Sequence, residues 1–326
     1  MAFRLKLAEP FGDGCKRIAR EQIDRAQAQL KDADDPPIAV HETRKSLKRL
    51  RALLRLIRPS IGDDVFHAEN AHLRGIARIL SGARDRHVLL ETVAKLDPGA
   101  SGTRSTLVRN VRELLNSANG GEGPTVDATA MRQALGRLAE AKGRFARLRL
   151  AGGGFDLVGG GLERSYRQAR RAYNAAYDEL SDEAFHEWRK STQQHWRHMA
   201  LLSRAWPACL GARSNEARRL SQILGDDHDL AMLVDFVRSE AGERLGQERI
   251  ARIETLALQR QQELRALARP TGARLFAEGP GALRRRIAVY WDAAVALREP
   301  DDDEAHKQKK PSRRVAAKRG APDTEP

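Results

Sequence analysis

Apolar residues recur every three to four positions along most of the chain, and nowhere do they alternate in steps of two. The first spacing belongs to helices buried on one side, the second to strands, so the pattern predicts an all-α protein. Residues 1–13 read as a short leader. A helix over 14–34 carries Ile18, Ile23, Ala26 and Leu30 inward; Asp34-Asp35-Pro36-Pro37 stops it and opens the next. That second helix covers about 38–58 and is closed by Pro59 and Gly62. A third runs from Asp63 to Leu80, with Phe66, Leu73, Ile76 and Leu80 inward. A corner follows at Ser81–Asp85, where Asp85 can cap a helix through Val88, Leu89, Leu90 and Val93 that ends at Asp97-Pro98-Gly99. After a helix at 103–118, Asn119-Gly120-Gly121-Glu122-Gly123-Pro124 is the clearest internal linker.

The second half continues with helices near 127–150, 162–179, 183–205, 213–239, 243–268 and 280–298, the fourth of these broken near Gly225. Gly152-Gly153-Gly154 and Gly159-Gly160-Gly161 bracket Phe155–Val158. With no strand before them and no Gly-Lys-Ser/Thr ending, they do not make a phosphate-cradling loop, and they read as a flexible joint.

The helix at 38–58 is divided more sharply than the rest. At about 100° per residue, His41, Arg44, Lys45, Lys48, Arg51 and Arg55 share one side, with Arg49 at its edge. Leu47, Leu50, Leu53, Leu54 and Ile57 share the other, and no carboxylate falls between Lys45 and Pro59. The same device recurs at an offset of 145 residues, where His186-Glu187-Trp188-Arg189-Lys190-Ser191 answers His41-Glu42-Thr43-Arg44-Lys45-Ser46. Here Arg189, Lys190, Gln193, Arg197 and Arg204 lie on the polar side, opposite Trp188, Met199 and Leu202. Ile79-Leu80 then matches Ile223-Leu224, Asp85 matches Asp229 and Arg74 matches Arg218 at an offset of 144. Collinear matches at nearly one offset argue for duplication of a whole helical unit. Duplicated units pack about pseudo-twofold axes as homodimers do, which would turn both cationic sides toward one channel.

Charge strengthens this reading. The 326 residues hold 58 Lys+Arg against 44 Asp+Glu, a net of +14. Residues 300–326 contribute seven basic and six acidic groups, so +13 stays with the part that folds. Such an excess favours a polyanionic partner. Cys15 and Cys209 are too few and too far apart for a disulfide framework or a zinc motif, which favours reduced thiols and a cytoplasmic setting. Residues 1–10 contain no apolar run like a signal peptide, and no stretch of about 18 apolar residues spans a membrane.

With these residues in view, the chain resembles the CHAD family of histidine-containing α-helical domains over about residues 10–298. The family's His-x-x-Arg-x-x-x-Arg-Arg-x-Arg pattern is matched by His41, Arg44, Lys48, Arg49 and Arg51. Its Leu-Gly-x-x-x-Asp pattern is matched by Leu224, Gly225 and Asp229, and more loosely by Leu80 and Asp85. The second His-x-x-Arg-Lys motif falls on His186, Arg189 and Lys190, with Gln193 where a Lys is expected. The resemblance implies two helical bundles around a basic central channel, a location in the cytoplasm or at polyphosphate granules, and inorganic polyphosphate as ligand. No Glu-x-Glu-x-Lys run marks the triphosphatase domain that often accompanies such domains.

The chemistry agrees. Polyphosphate is a strand of tetrahedral anions without bases, so a partner needs cations along a path and nothing that reads sequence. Arginine forks pair with phosphate oxygens, and side chains one helical turn apart make a ladder. The expected organisation is a leader (1–13), one helical domain (14–298, halves about 14–119 and 125–298) and a disordered charged tail (299–326). The expected polyphosphate-binding residues are His41, Arg44, Lys45, Lys48, Arg49, Arg51, Arg55, Arg74, Arg78, His186, Arg189, Lys190, Arg197 and Arg218. The expected protein is not an enzyme and needs no cofactor or metal. His41 and His186 stand as protonation-sensitive phosphate donors or as structural caps, since no His-Glu-x-x-His accompanies them. The alternatives are a nucleic-acid or nucleoid-associated binder, which an aromatic content of 5% disfavours for single strands, and a metal-dependent phosphohydrolase using Asp226, Asp227 and His228. Those last residues fall at the expected helix break, where cap and turn roles suit them better.

Overall fold

The computed structural model describes residues 3–31, 35–80, 84–96, 106–118, 128–239 and 242–298. Expectations for the Ser81 corner, the Asp85 cap, the Asp97–Gly99 stop, the 119–124 linker and the 299–326 tail fall outside the described residues and side chains. Among the described residues there are eleven α-helices and no strand: α1 (Phe11–Lys31), α2 (Pro36–Ile61), α3 (Asp63–Ile79), α4 (Arg84–Leu96), α5 (Thr106–Ala118), α6 (Ala128–Ala146), α7 (Asp156–Glu179), α8 (Asp182–Leu201), α9 (Pro207–Arg238), α10 (Gln247–Leu275) and α11 (Pro280–Ala296). A short 3₁₀ turn (Ser203–Ala205) joins α8 to α9. Among the described residues no helix is long and apolar enough to cross a membrane.

Local signals set several of the boundaries. The Asp35 carboxylate accepts from the Ile38 N–H at 3.1 Å, with Pro36 in the first turn of α2. At α8 the Ser181 hydroxyl accepts from the Ala184 N–H in the same way. Gly62, at φ +81°, ends α2 in a conformation most other residues resist.

In four places the structure departs from the sequence reading. First, α2 continues through Pro59 to Ile61. Pro59 has no N–H to give to the Arg55 carbonyl, and α7 packs against the same turn. A Cβ on Gly161 would come within 1.9 Å of the Leu56 oxygen and 2.7 Å of the Arg55 oxygen. Second, Gly159-Gly160-Gly161 is therefore no joint. It lies inside α7, where the missing side chain lets two backbones meet; only Gly152 (φ +95°) and Gly154 (φ +55°) make a turn.

Third, α9 runs unbroken past Gly225. An interior glycine costs a helix about 1 kcal/mol, and packing of α9 on α8, α10 and α4 outweighs it. Asp226, Asp227, His228 and Asp229 are consequently mid-helix residues and not caps. Fourth, the leader is part of the folded body. Leu5 is fully buried, its N–H donates to the Leu201 carbonyl at 2.9 Å, and Arg17 ties Glu9 (2.8 Å) to the Arg4 carbonyl (3.2 Å).

Two apolar cores result. The larger joins α1, α2, α3, α6, α7, α8, the first half of α9, the end of α10 and α11, with Leu50, Leu54, Trp188, Tyr166 and Leu220 at its interior. The smaller joins α4 and α5 to the rest of α9 and to α10 through Val93, Val111, Leu233 and Ile253. Helix pairings recur along the chain: α1 on α2, α2 on α3 and α6 on α1 are followed by α7 on α8, α8 on α9 and α11 on α7. Burial keeps the Cys15 thiol protonated by pushing its pKa up to about 12, with Glu9 adding to the effect; both Cys15 and Cys209 are free.

Candidate functional site

The cationic side of α2 is built by its buried side. Leu47, Leu50, Leu53, Leu54 and Ile57 are buried against α1, α7 and α8, which fixes the rotation of the helix and points Arg51 and Arg55 away from that core. Arg51 donates to the Asn70 amide oxygen (3.0 Å), Arg55 to the Arg51 carbonyl (3.2 Å) and Arg49 to the Gln22 amide oxygen (3.2 Å). From α8, Arg197 donates to the Gln193 carbonyl at 2.6 Å and lies 4.3 Å over the Trp196 ring. Every one of these acceptors is electrically neutral. Among the described residues none of Arg49, Arg51, Arg55 and Arg197 pairs with a carboxylate.

The charges act on one another instead. Burial pushes Arg197 down to about 9, and the neighbouring charges of Arg49 and Arg51 push the same way. Burial likewise lowers Arg55 to about 10, helped by Arg51, Arg58 and Arg74. Arg51 is lowered by burial and by Arg74; Arg49 is lowered by burial, by Arg25 and by Arg218, with Glu42 opposing. Helices α2, α3, α8 and α9 therefore bring Arg49, Arg51, Arg55, Arg74, Arg197 and Arg218 into one mutually repelling group. Arg197 is only 8% exposed, and its Nε finds no hydrogen-bond partner. A buried charge without a counter-charge is expensive, and an anion seated among these groups would relieve burial cost and repulsion together.

A second group lies at the other end of α8. The rings of His186 and His228 stack with centroids 4.1 Å apart. Arg189 and Lys190 act on both rings. Arg189, Gln193 and Arg197 stand at i, i+4 and i+8, so the two groups share one helix face over about 12 Å. The glutamates of the repeated motif do the same thing twice. Glu42 pairs with Lys45 at 2.6 Å, and Glu187 pairs with Lys190, both three residues apart.

The remaining expected site residues sit elsewhere on the same sides. Arg44 donates to the Ala77 carbonyl (2.9 Å), which anchors α2 to the end of α3. Lys48 is half-buried, and His41, Lys45 and Arg78 are exposed.

Arg25, Arg58 and His198 also lie in or beside these groups without having been singled out from the sequence, and His228 was given there a cap or turn role. Arg58 pairs with Asp63 at 2.7 Å and lies 4.4 Å over the Phe66 ring. His198 lies fully buried under the arginines with its Nε2 2.9 Å from the Ala52 carbonyl; burial lowers it to about 4, with Arg55 and Arg197 contributing. His228 was hidden by the expectation of a helix break. Its carboxylate neighbours are engaged in ion pairs: Asp227, 2% exposed, with Arg265 at 2.7 Å, and Asp226 with Lys95 at 2.9 Å. Among the described residues no group of three or more His, Cys, Asp or Glu is placed to hold a metal ion.

Comparison with known proteins identifies the fold. Solved structures that share it include the following two. PptA from Streptomyces chartreusis aligns with a TM-score of 0.57 at 16% identity, covering 83% of this chain and all of its own. The CHAD domain from the plant Ricinus communis aligns with a TM-score of 0.55 at 17% identity, covering 90% of this chain and 95% of its own. No curated protein sequence matches the chain. The profile of the CHAD domain matches residues 17–238, a span that includes both His-x-x-Arg-Lys motifs and the arginine group. The chain belongs to the CHAD domain family.

Proposed function

We propose that the protein binds inorganic polyphosphate without turning it over, in a basic channel between two halves related by a pseudo-twofold axis. The anion runs along the α2 ladder of Arg44, Lys48, Arg51 and Arg55 and the α8 row of Arg189, Gln193 and Arg197. The observation that carries this reading is Arg197, buried beside Arg49 and Arg51 with no carboxylate among them. A strand of linked phosphates supplies negative charge at short regular intervals and needs no base-reading groups, which matches arginines held by neutral oxygens. Each charge-assisted hydrogen bond contributes roughly 1.5–3 kcal/mol, so a handful suffices after the strand is ordered. The charge balance of the folded part and membership of the CHAD family support the same ligand, with the cytoplasm and its polyphosphate granules as the setting.

The test is a titration with polyphosphate of one defined length. Reversing Arg44 and Lys48 together (R44E/K48E) should weaken binding by at least 100-fold, on the order of two charge-assisted bonds. R313E/R314E, outside the proposed channel, should change it less than threefold. Equal losses from the two pairs would reject the reading. Displacement of polyphosphate by duplex DNA at matched phosphate concentration would favour a nucleic-acid ligand in its place.

A further inference from the structure

We propose that His228, stacked on His186, completes the polyphosphate site at the head of α8, and that the pair takes up a proton when the anion is seated. The inference rests on the proposed polyphosphate reading and adds a residue and a regulation to it. The two rings come from different helices, α8 and α9, and meet with centroids 4.1 Å apart and planes tilted by 34°. The His186 Nδ1 is buried and has no hydrogen-bond partner. Two imidazolium rings at this separation would repel strongly, whereas one charged ring over one neutral ring would not. The pair is therefore suited to holding one proton, and the cationic ring can donate to a phosphate oxygen.

The groups around the rings decide when that proton is held. On α8, Arg189 and Lys190 oppose it, while Asp182, Glu183 and Glu187 favour it. Several of these acids are already committed: Asp182 to Arg265 of α10, and Glu187 to Lys190. On α9, Asp227 pairs with Arg265 and Asp226 with Lys95 of α4. From α7, Tyr177 turns its hydroxyl to the Arg265 carbonyl at 2.7 Å. Without ligand, burial and then the two neighbouring cations prevail, so that His186 lies below its ordinary value and His228 is pushed down to about 3.

A phosphate chain engaging Arg189 and Lys190 neutralises the opposing charges and adds its own negative field beside the rings. The pair's proton affinity then rises. Because the bound state holds the proton more tightly than the free state, affinity for polyphosphate increases as pH falls. The dependence is confined to the window between the free-state and bound-state pKa values of the pair, and its slope reaches at most tenfold per pH unit for one proton.

Calorimetric titration of the full chain with polyphosphate of one defined length, near pH 6.5 in two buffers of different ionisation enthalpy, measures the uptake. The wild type should take up as much as about one proton per site. The H186Q/H228Q variant should lose at least half of that uptake, together with at least half of the pH slope of affinity. Ring titration of the wild type by NMR, with and without polyphosphate, reads the same quantity without any substitution and should show an imidazole of this pair moving upward on binding. Tight binding with the same uptake in both proteins, or ring titrations unmoved by ligand, overturns the inference and leaves polyphosphate binding intact. Failure of the wild type to bind polyphosphate at all overturns both.

Discussion

Arg197 shows how much one side chain can cost a fold. Its guanidinium is buried on the ring of Trp196, donates to a single carbonyl, and faces Arg49 and Arg51. Replacing it with a methionine of similar reach removes the uncompensated charge and keeps the packing. R197M should therefore raise thermal stability by about 1 kcal/mol, or roughly 2 °C, while weakening polyphosphate binding roughly tenfold. Differential scanning calorimetry and titration on the same preparation check both. A fall in stability with unchanged affinity would show the arginine to be a packing residue. The sequence places Arg197 on the polar side of its helix, whereas in the fold it is buried. It could not disclose the burial, because that depends on α2 crossing α8 from 145 residues away. His228 was obscured for a different reason: a glycine followed by acids is the ordinary mark of a turn, and only tertiary packing carries the helix across it.

The helices were legible wherever their apolar period was strong, and their ends were less so wherever glycine or proline stood near. Gly161 and Gly225 make the contrast measurable. At Gly161 a methyl group would strike the Leu56 carbonyl, so G161A must pry α7 from α2 and should destabilise the protein by 3 kcal/mol or more. At Gly225 a methyl group would meet nothing within 4 Å, so G225A should stabilise α9 by about 0.5–1 kcal/mol. Denaturant unfolding of the two variants tests the assignment, and losses of similar size at both positions would contradict it. Read in sequence alone, both are glycines near expected breaks. What separates them is whether another backbone lies against them, and local patterning carries no record of that.

For the molecule as a whole, charge and stability oppose one another. Residues 1–299 carry a net charge of +13, and their arginines repel where they converge. Raising sodium chloride from about 50 to 500 mM screens that repulsion, so the melting temperature of the ligand-free protein should rise as affinity for polyphosphate falls. Removing residues 299–326, whose charges nearly cancel, should alter affinity less than twofold. A tail deletion that abolished binding, followed by titration across the same salt range, would move the site out of the helical body. The collinear motif matches argue for a duplicated unit, and helix pairings recur in the same order along the chain. The way the cores divide was not readable, because the contacts that join α4 to α9 and α10 in the smaller one bring together residues more than 100 positions apart.

That smaller core has an effect on how the chain must come into being. Among the described residues α4 packs on α5, α9 and α10, and α5 packs on α4 and on the 3₁₀ turn at Gly242–Leu245. When a ribosome has released the first 125 or so residues, this hairpin has nothing to lie against. It must wait, greasy side open, while roughly another 140 residues are synthesised. At synthesis rates of about 5–20 residues per second the exposure lasts roughly seven to thirty seconds. During that interval the nascent polypeptide is most open to capture by chaperones or by its own neighbours on the same message.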